Sequence, residues 1–260
     1  EHQLLIARQV AIQIESYFES RSEDIRYLSS LPYFRRRDGE RMPSDVLTNF
    51  KRLRTIHVKE ISVFDDKGTV VFSTTAGAAG KKHPASDFHP WARKKENRGS
   101  VLLATAKANG PPASGTGESP GLSRSAVFLV SPTYREPDAG RKAGPGGIFT
   151  GMVSLSVDLE EMLAKRALLS ASTMKLHKLW IMDKDGTLLL QSEHPEMAMR
   201  NIRERDDTCN RCHVSFDYAE KMLTTAQGTV EYPMKEGIRK VAAFATMSFG
   251  NTSWIVVLNT

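Results

Sequence analysis

The amino-acid sequence predicts an α+β fold: a long N-terminal helix followed by two antiparallel-sheet units. The chain opens on apolar residues at helical spacing, namely Leu4, Leu5, Ile6, Val10, Ile12, Ile14, Tyr17 and Phe18. A hairpin pattern then occurs twice, and each copy is followed by further β-rich runs in the same order. With 260 residues, 40% of them hydrophobic, the chain can bury one large or two medium cores.

Residues 1–31 read as one amphipathic helix that ends at Leu31-Pro32, because proline lacks the N–H a helix interior needs. Residues 44–57 read as a shorter helix with Ser44 as its N-cap after Pro43. The run Glu60–Ser73 places two β-rich stretches around Asp65-Asp66-Lys67-Gly68, a hairpin. Leu179–Ser192 repeats that plan position by position: apolar run, Asp-x-x-Gly-Thr, apolar run, serine. A domain-sized offset separates Gly68 from Gly186, so one unit is present twice. Strands are expected at Ser100–Thr105, Ala126–Ser131 and Phe149–Val157 after the first hairpin. After the second they are expected at Gly228–Tyr232, Val241–Met247 and Ser253–Leu258. The Gly/Pro/Ser-rich stretch Asn109–Ser123 reads as a loop and Asp138–Gly147 as a turn. Asp158 stands at the positive end of a helix expected to reach about Ser170 and to link the repeats. The expected division is a helical stalk at 1–39, a first unit at 40–170 and a second at 171–260.

The chemistry is concentrated at Cys209-Asn210-Arg211-Cys212-His213, which holds the only two cysteines of the chain. Cys-x-x-Cys-His is the attachment signature of c-type haem. Two thiols three positions apart reach the two vinyl groups of one porphyrin, and the adjacent histidine falls under the iron as an axial ligand. Two other readings stay open. The pair can form a small disulfide, or supply half of a zinc site that His213 and a remote His194 would complete. For haem, the sixth iron position has the candidates His194, Met197, Met199 and Met222, with Met234 and His177 further off. A methionine there raises the reduction potential relative to a histidine, and an open position admits a small gas.

A net charge of +6 is mild, and runs such as Arg35-Arg36-Arg37 and Lys81-Lys82 are short and lack aromatic interleaving. They read as solvated surface, which excludes a nucleic-acid partner from the expectations. No nucleophile elbow, phosphate-binding Gly-rich loop or His-Glu-x-x-His motif is present, so the chain reads as non-enzymatic. No stretch reaches the roughly 18–20 apolar residues of a membrane span. The uncapped helical opening and the closing strand Trp254–Leu258 are expected of a segment of a longer protein. Thioether attachment of haem occurs outside the cytoplasm, which sets the expected compartment.

The long first helix, the two hairpins Ile61–Ser73 and Leu179–Ser192, the run Gly151–Leu163 and the closing Trp254–Leu258 resemble the double Cache family. These are tandem PAS-like extracytoplasmic sensor domains of bacterial histidine kinases, chemoreceptors and cyclase-type receptors. The resemblance covers essentially the whole chain. It implies flanking transmembrane helices, a homodimeric full-length receptor, a first unit distal to the membrane and a small-molecule or gas signal. It also implies a pocket in the first unit, where Trp91, Tyr134 and Asp158 fall at matching positions. The arginine two before that tryptophan is His89 here and the following tyrosine is Ala92, so the bidentate clamp for a substrate carboxylate is missing. The pentad falls in the second unit, between the hairpin and the strand beginning at Gly228. Three functions compete: a haem-based sensor of redox state or gas, a sensor of a small organic ligand with an unused or structural cysteine pair, and a c-type electron carrier.

Overall fold

The computed structural model describes residues 1–31, 44–107, 125–135, 147–165, 178–191, 197–203, 217–234 and 237–259. The stretch Asn109–Ser123 lies outside the described residues, as do most of the turn Asp138–Gly147 and the end of the linking helix. Helix α1 spans His2–Ser30 and stops one residue short of Leu31, as the proline requires. Helix α2 spans Ser44–Arg54. The chain divides into two compact units: Glu19–Met162, and Glu1–Phe18 together with Leu163–Thr260. Residues of α1 therefore belong to both.

The first unit holds strands β1 (Val58–Phe64), β2 (Val70–Ser73), β3 (Leu102–Lys107), β4 (Ser125–Arg135) and β5 (Ile148–Asp158). They form one antiparallel sheet in the order β2-β1-β5-β4-β3. The second unit holds β6 (Lys178–Asp183), β7 (Leu188–Gln191), β8 (Gln227–Pro233), β9 (Arg239–Phe249) and β10 (Thr252–Asn259). Their order, β7-β6-β10-β9-β8, is the same topology. The repeat in the sequence is thus a repeat of whole sheets.

The two hairpin turns show why. Asp65 Oδ1 accepts the N–H groups of Lys67 and Thr69 at 2.9 and 2.8 Å. Asp183 Oδ1 accepts those of Asp185 and Thr187 at the same 2.9 and 2.8 Å. Each aspartate closes its turn from its own side chain, and the glycine three residues on takes the left-handed φ that the turn demands, +81° at Gly68 and +86° at Gly186.

Each sheet packs one face against α1 and carries short turns and helices over the other, the covered face. In the first unit, Ser131 on one face donates to Ser29 of α1 at 3.1 Å. On that side Ile61, Val63, Leu129, Val153 and Leu155 are buried with Ile25, Leu28 and Leu53. The opposite face carries Phe64, Phe128, Val130 and Met152. It is covered by the run from the 3-10 turn Pro84–Phe88 through helix α3 (His89–Ala92), whose Ala85 and Ala92 join the same cluster. In the second unit, Trp254 meets Phe18 of α1 edge to face at 5.3 Å. The other face carries Trp180, Met182, Phe244, Ile255 and Val257 and is covered by Ile202 and by Ala219 and Met222 of helix α5 (Asp217–Thr224). Helix α4 (Leu159–Lys165) follows β5.

Candidate functional site

On the covered face of the first sheet, strand register brings together a row of polar groups. A bulge at Lys59 separates the pairs Val58↔Val157 and Glu60↔Ser156, so Glu60 turns to the covered side although Val58 faces the helices. Glu60, Ser62, Ser154, Ser156 and His83 are all buried. Ser62 donates to Glu60 Oε1 at 2.7 Å, and Ser73 donates to the same oxygen. His83 Nδ1 accepts the N–H of Ala85 at 3.1 Å, so the proton sits on Nε2, which faces Glu60 Oε2 at 3.4 Å. Burial alone would push the Glu60 carboxyl up. The hydrogen bonds from His83, Ser73 and Ser62 outweigh it and hold the group at about 2. Serine, histidine and a carboxylate meet here without forming a hydrolytic triad. The serines bind the carboxylate rather than the imidazole, and the free nitrogen of the ring is already committed to the backbone.

The residues expected to form a pocket in this unit are only partly brought together. Tyr134 donates to the carbonyl of Lys94 at 3.1 Å, with that of Ala92 at 3.4 Å, and so holds the run that carries half-buried Trp91. Its ring meets Phe149 edge to face at 5.6 Å, and the Arg98 guanidinium lies 5.6 Å from its centre. Burial pushes the Tyr134 phenol up. His89, which stands where a clamp arginine would, is a brace: its Nε2–H donates to the Asp66 carbonyl at 3.1 Å and its ring closes on Gly68. Asp158 corrects the expectation. Tyr134 pairs with Phe149, whereas Asp158 pairs with Ala126 at the other end of the same ladder. At about 3.4 Å per residue the two ends are roughly 30 Å apart. Asp158 caps α4, accepting the Glu161 N–H at 2.8 Å, and lies 3.4 Å from Lys59, which also pairs with Glu161.

In the second unit Cys209, Cys212, His213 and His194 lie outside the described residues, and so does His177. The structure does describe both flanks of the pentad's segment, 204–216. Before it, Met199 and Ile202 donate their N–H groups to Leu188 and Gly186 at 2.6 and 2.8 Å, which seats Met197–Arg203 beside β7. After it comes α5, which packs on β8. Arg203 binds Glu220 of α5 through two nitrogens, at 2.8 and 3.2 Å. Both flanks contribute to one buried cluster on the covered face. Met222 is fully buried in it, and Met197 and Met234 pack against it half-buried. Met199 is half-buried with a left-handed φ of +67°. Tyr218 stacks on Tyr232 with ring centres 4.1 Å apart, beside a depression of about 270 Å³ that Lys221 and Val230 also line. Among the described residues, no three His, Cys, Asp or Glu side chains are grouped to hold a metal ion. None of their helices is long and apolar enough to cross a membrane.

No protein-family model matches the chain, and no curated protein sequence matches it. Solved structures do match in three dimensions. The periplasmic sensory domain of the Campylobacter jejuni chemoreceptor Tlp1 superposes with a TM-score of 0.62 at 14% identity, over 99% of this chain and 93% of that one. The fold is that of a double Cache sensor domain. The extracellular domain of the putative histidine kinase rpHK1S-Z16 gives a TM-score of 0.63 at 14% identity, over 98% and 92% of the two chains. An extracellular ligand binding receptor from Desulfohalobium retbaense DSM5692 gives 0.61 at 15% identity over 99% of this chain. This chain spans only 40% of the length of that receptor. At these identities the likeness is one of fold.

Proposed function

We propose that the chain is the extracytoplasmic input domain of a transmembrane receptor, and that its second unit reads redox state or a small gas through haem c. The observation that carries this is the placement of the two described flanks of the pentad's segment. Met197–Arg203 before it and α5 after it both contribute to the covered face of a PAS-like sheet, the face against which such folds hold ligands. The residues present fit the group in the chemistry of the donor set: two thiols and an imidazole in Cys-x-x-Cys-His order are what attaches and ligates haem c. Cys209 and Cys212 would hold the porphyrin and His213 the iron. When bound, the group would supply a reducible iron centre. Of the candidates for a second iron-holding side chain beside His213, Met222 is core packing, whereas Met197 and Met199 stand on the flank beside β7. Any kinase or methyl-accepting output belongs to other parts of the receptor.

A second reading places a small organic signal on the covered face of the first sheet. The buried polar row around Glu60 and His83 favours it, as does the position of Trp91 and Tyr134 at the same cover. The missing arginine beside Trp91 argues against an amino-acid carboxylate as that signal.

Hydrogen exchange on oxidised and reduced haem-loaded protein separates the two readings. A ligand acts by favouring one conformation over another. Reduction should change protection in Gly228–Leu258 more than in Ile61–Ser73. Equal or larger changes in Ile61–Ser73 would move the signal to the first unit and leave the haem a structural group.

A further inference from the structure

The first half of α1 turns one side into the protein and leaves the opposite side bare. Ala7, Val10, Ala11, Ile14, Tyr17 and Phe18 are buried. Leu5, Gln9, Ile12 and Ser16 form an exposed stripe. Leu5 and Ile12, at 60% and 65%, are the most exposed large apolar side chains among the described residues. Single exposed apolar residues are ordinary, but these two stand seven positions apart and so lie on one line along the helix. In heptad terms they take d positions and Gln9 and Ser16 take a positions, the spacing of a two-stranded seam. No charged side chain lies on the stripe from Leu5 to Ser16. Glu19 and Glu23 follow on the same stripe, where like carboxylates in facing layers would repel.

We infer that this stripe is the contact between two copies of the chain, which pair in parallel through the first half of α1 and part at Glu19. A two-fold axis along the helices sets Leu5 against Leu5 and Ile12 against Ile12. In the same register Gln9 meets Gln9 between the apolar layers, and one amide N–H donates to the other amide oxygen. The seam is short. Specific interfaces between free proteins bury roughly 1,200–2,000 Å² in total, more than two apolar layers supply. The contact is therefore weak between free copies and closes when both are held side by side, which raises their effective concentration to roughly the millimolar range. It rests on the receptor reading above for that tether. A parallel pair also keeps the same end of both copies toward one membrane, as a receptor requires.

The test places a photoreactive benzophenone side chain at Ile12, and separately at Val71, which is 51% exposed on β2 and serves as the measure of random collision. Both positions are on the surface, so the fold tolerates the probe. Each protein is irradiated at roughly millimolar concentration. Trypsin separates Glu1–Arg8 from Gln9–Arg21, so the linked peptide reports the direction of pairing. The Ile12 probe should give covalent dimer in several-fold higher yield than the Val71 probe, linked to Gln9–Arg21 of the second copy. Leu5→Asp in the same chain should bring that yield down to the Val71 level without moving the melting midpoint. Equal yields from the two probes, a link to Glu1–Arg8, or a yield that Leu5→Asp leaves unchanged overturns the seam. None of these readouts involves haem, so failure of the seam leaves the haem-based reading standing. Failure of the haem reading, seen as protein of unmodified mass, leaves the cross-link yields as they are.

Discussion

The carboxylate of Glu60 and the imidazole of His83 face each other at 3.4 Å on the covered side of the first sheet, each more than nine-tenths buried. Neither reaches bulk water, so each depends on the other and on Ser62, Ser73 and the Ala85 N–H for its hydrogen bonds. Removing one partner leaves the other buried and unpaired. Glu60→Gln or His83→Ala should therefore destabilise the protein by about 2–4 kcal/mol in urea titrations at pH 7. A loss under about 0.5 kcal/mol would show that the network contributes little.

The same pair sets an acid limit. The Glu60 carboxyl lies at about 2 in the folded protein, below its ordinary 4.5. A depressed acid stabilises fully above its unfolded value, and the contribution is lost as pH falls from about 4.5 toward 2. The stability gap between wild type and Glu60→Gln should be constant from pH 7 to 5.5 and shrink steadily from pH 4.5 to 3. A gap that stays constant across that range would contradict the assignment.

The matching turns make a paired prediction. Asp65→Ala and Asp183→Ala each remove a side-chain oxygen that accepts two backbone N–H groups. Each should cost about 1–2 kcal/mol. Gly68→Ala and Gly186→Ala should cost about as much or more, since each needs a left-handed φ. Each also brings a Cβ to 3.0 Å from a neighbour, His89 Cγ in one case and Ile202 Cγ1 in the other. Denaturant midpoints of the four variants check this; a neutral result in one turn with a loss in the other would mean the repeat is one of pattern and not of energetics.

The turns were legible in the sequence because their chemistry is local: Asp-x-x-Gly-Thr carries its own acceptor and its own permissive glycine. Helix α1 was legible from its spacing, and the strands from their β-rich runs, with ends off by one to four residues. What escaped was set at long range. Pro84–Asn97 folds into short turns because His83 caps the first of them and Tyr134 holds the last carbonyls, and no window of sequence shows either contact. Nothing in the hairpin pattern marks Glu60 and Ser62 as buried; the bulge at Lys59 and the cover over that face turn them inward. The resemblance groups Asp158 with Trp91 and Tyr134, but the antiparallel register, which no window of sequence shows, sets Asp158 at the opposite end of the ladder from Tyr134.

The exposed pair Arg203–Glu220 ties the two flanks of segment 204–216 together. Exposed pairs add little to global stability. Glu220→Ala should leave the melting midpoint within about 1 °C while speeding tryptic cleavage in that segment, which carries Arg205 and Arg211. Unchanged cleavage would mean that the apolar contacts of Ile202 and α5 hold the flanks without the pair.

Haem attachment is tested most directly by the visible spectrum and intact mass of protein matured in a host competent for c-type attachment, compared with Cys209→Ala/Cys212→Ala made in the same way. The wild-type protein should carry one covalently bound haem, with c-type bands that survive denaturation, and the variant should lose both the added mass and the colour while keeping its fold. Wild-type protein of unmodified mass and no visible absorption, or a variant that keeps stoichiometric haem through denaturation, would contradict the account.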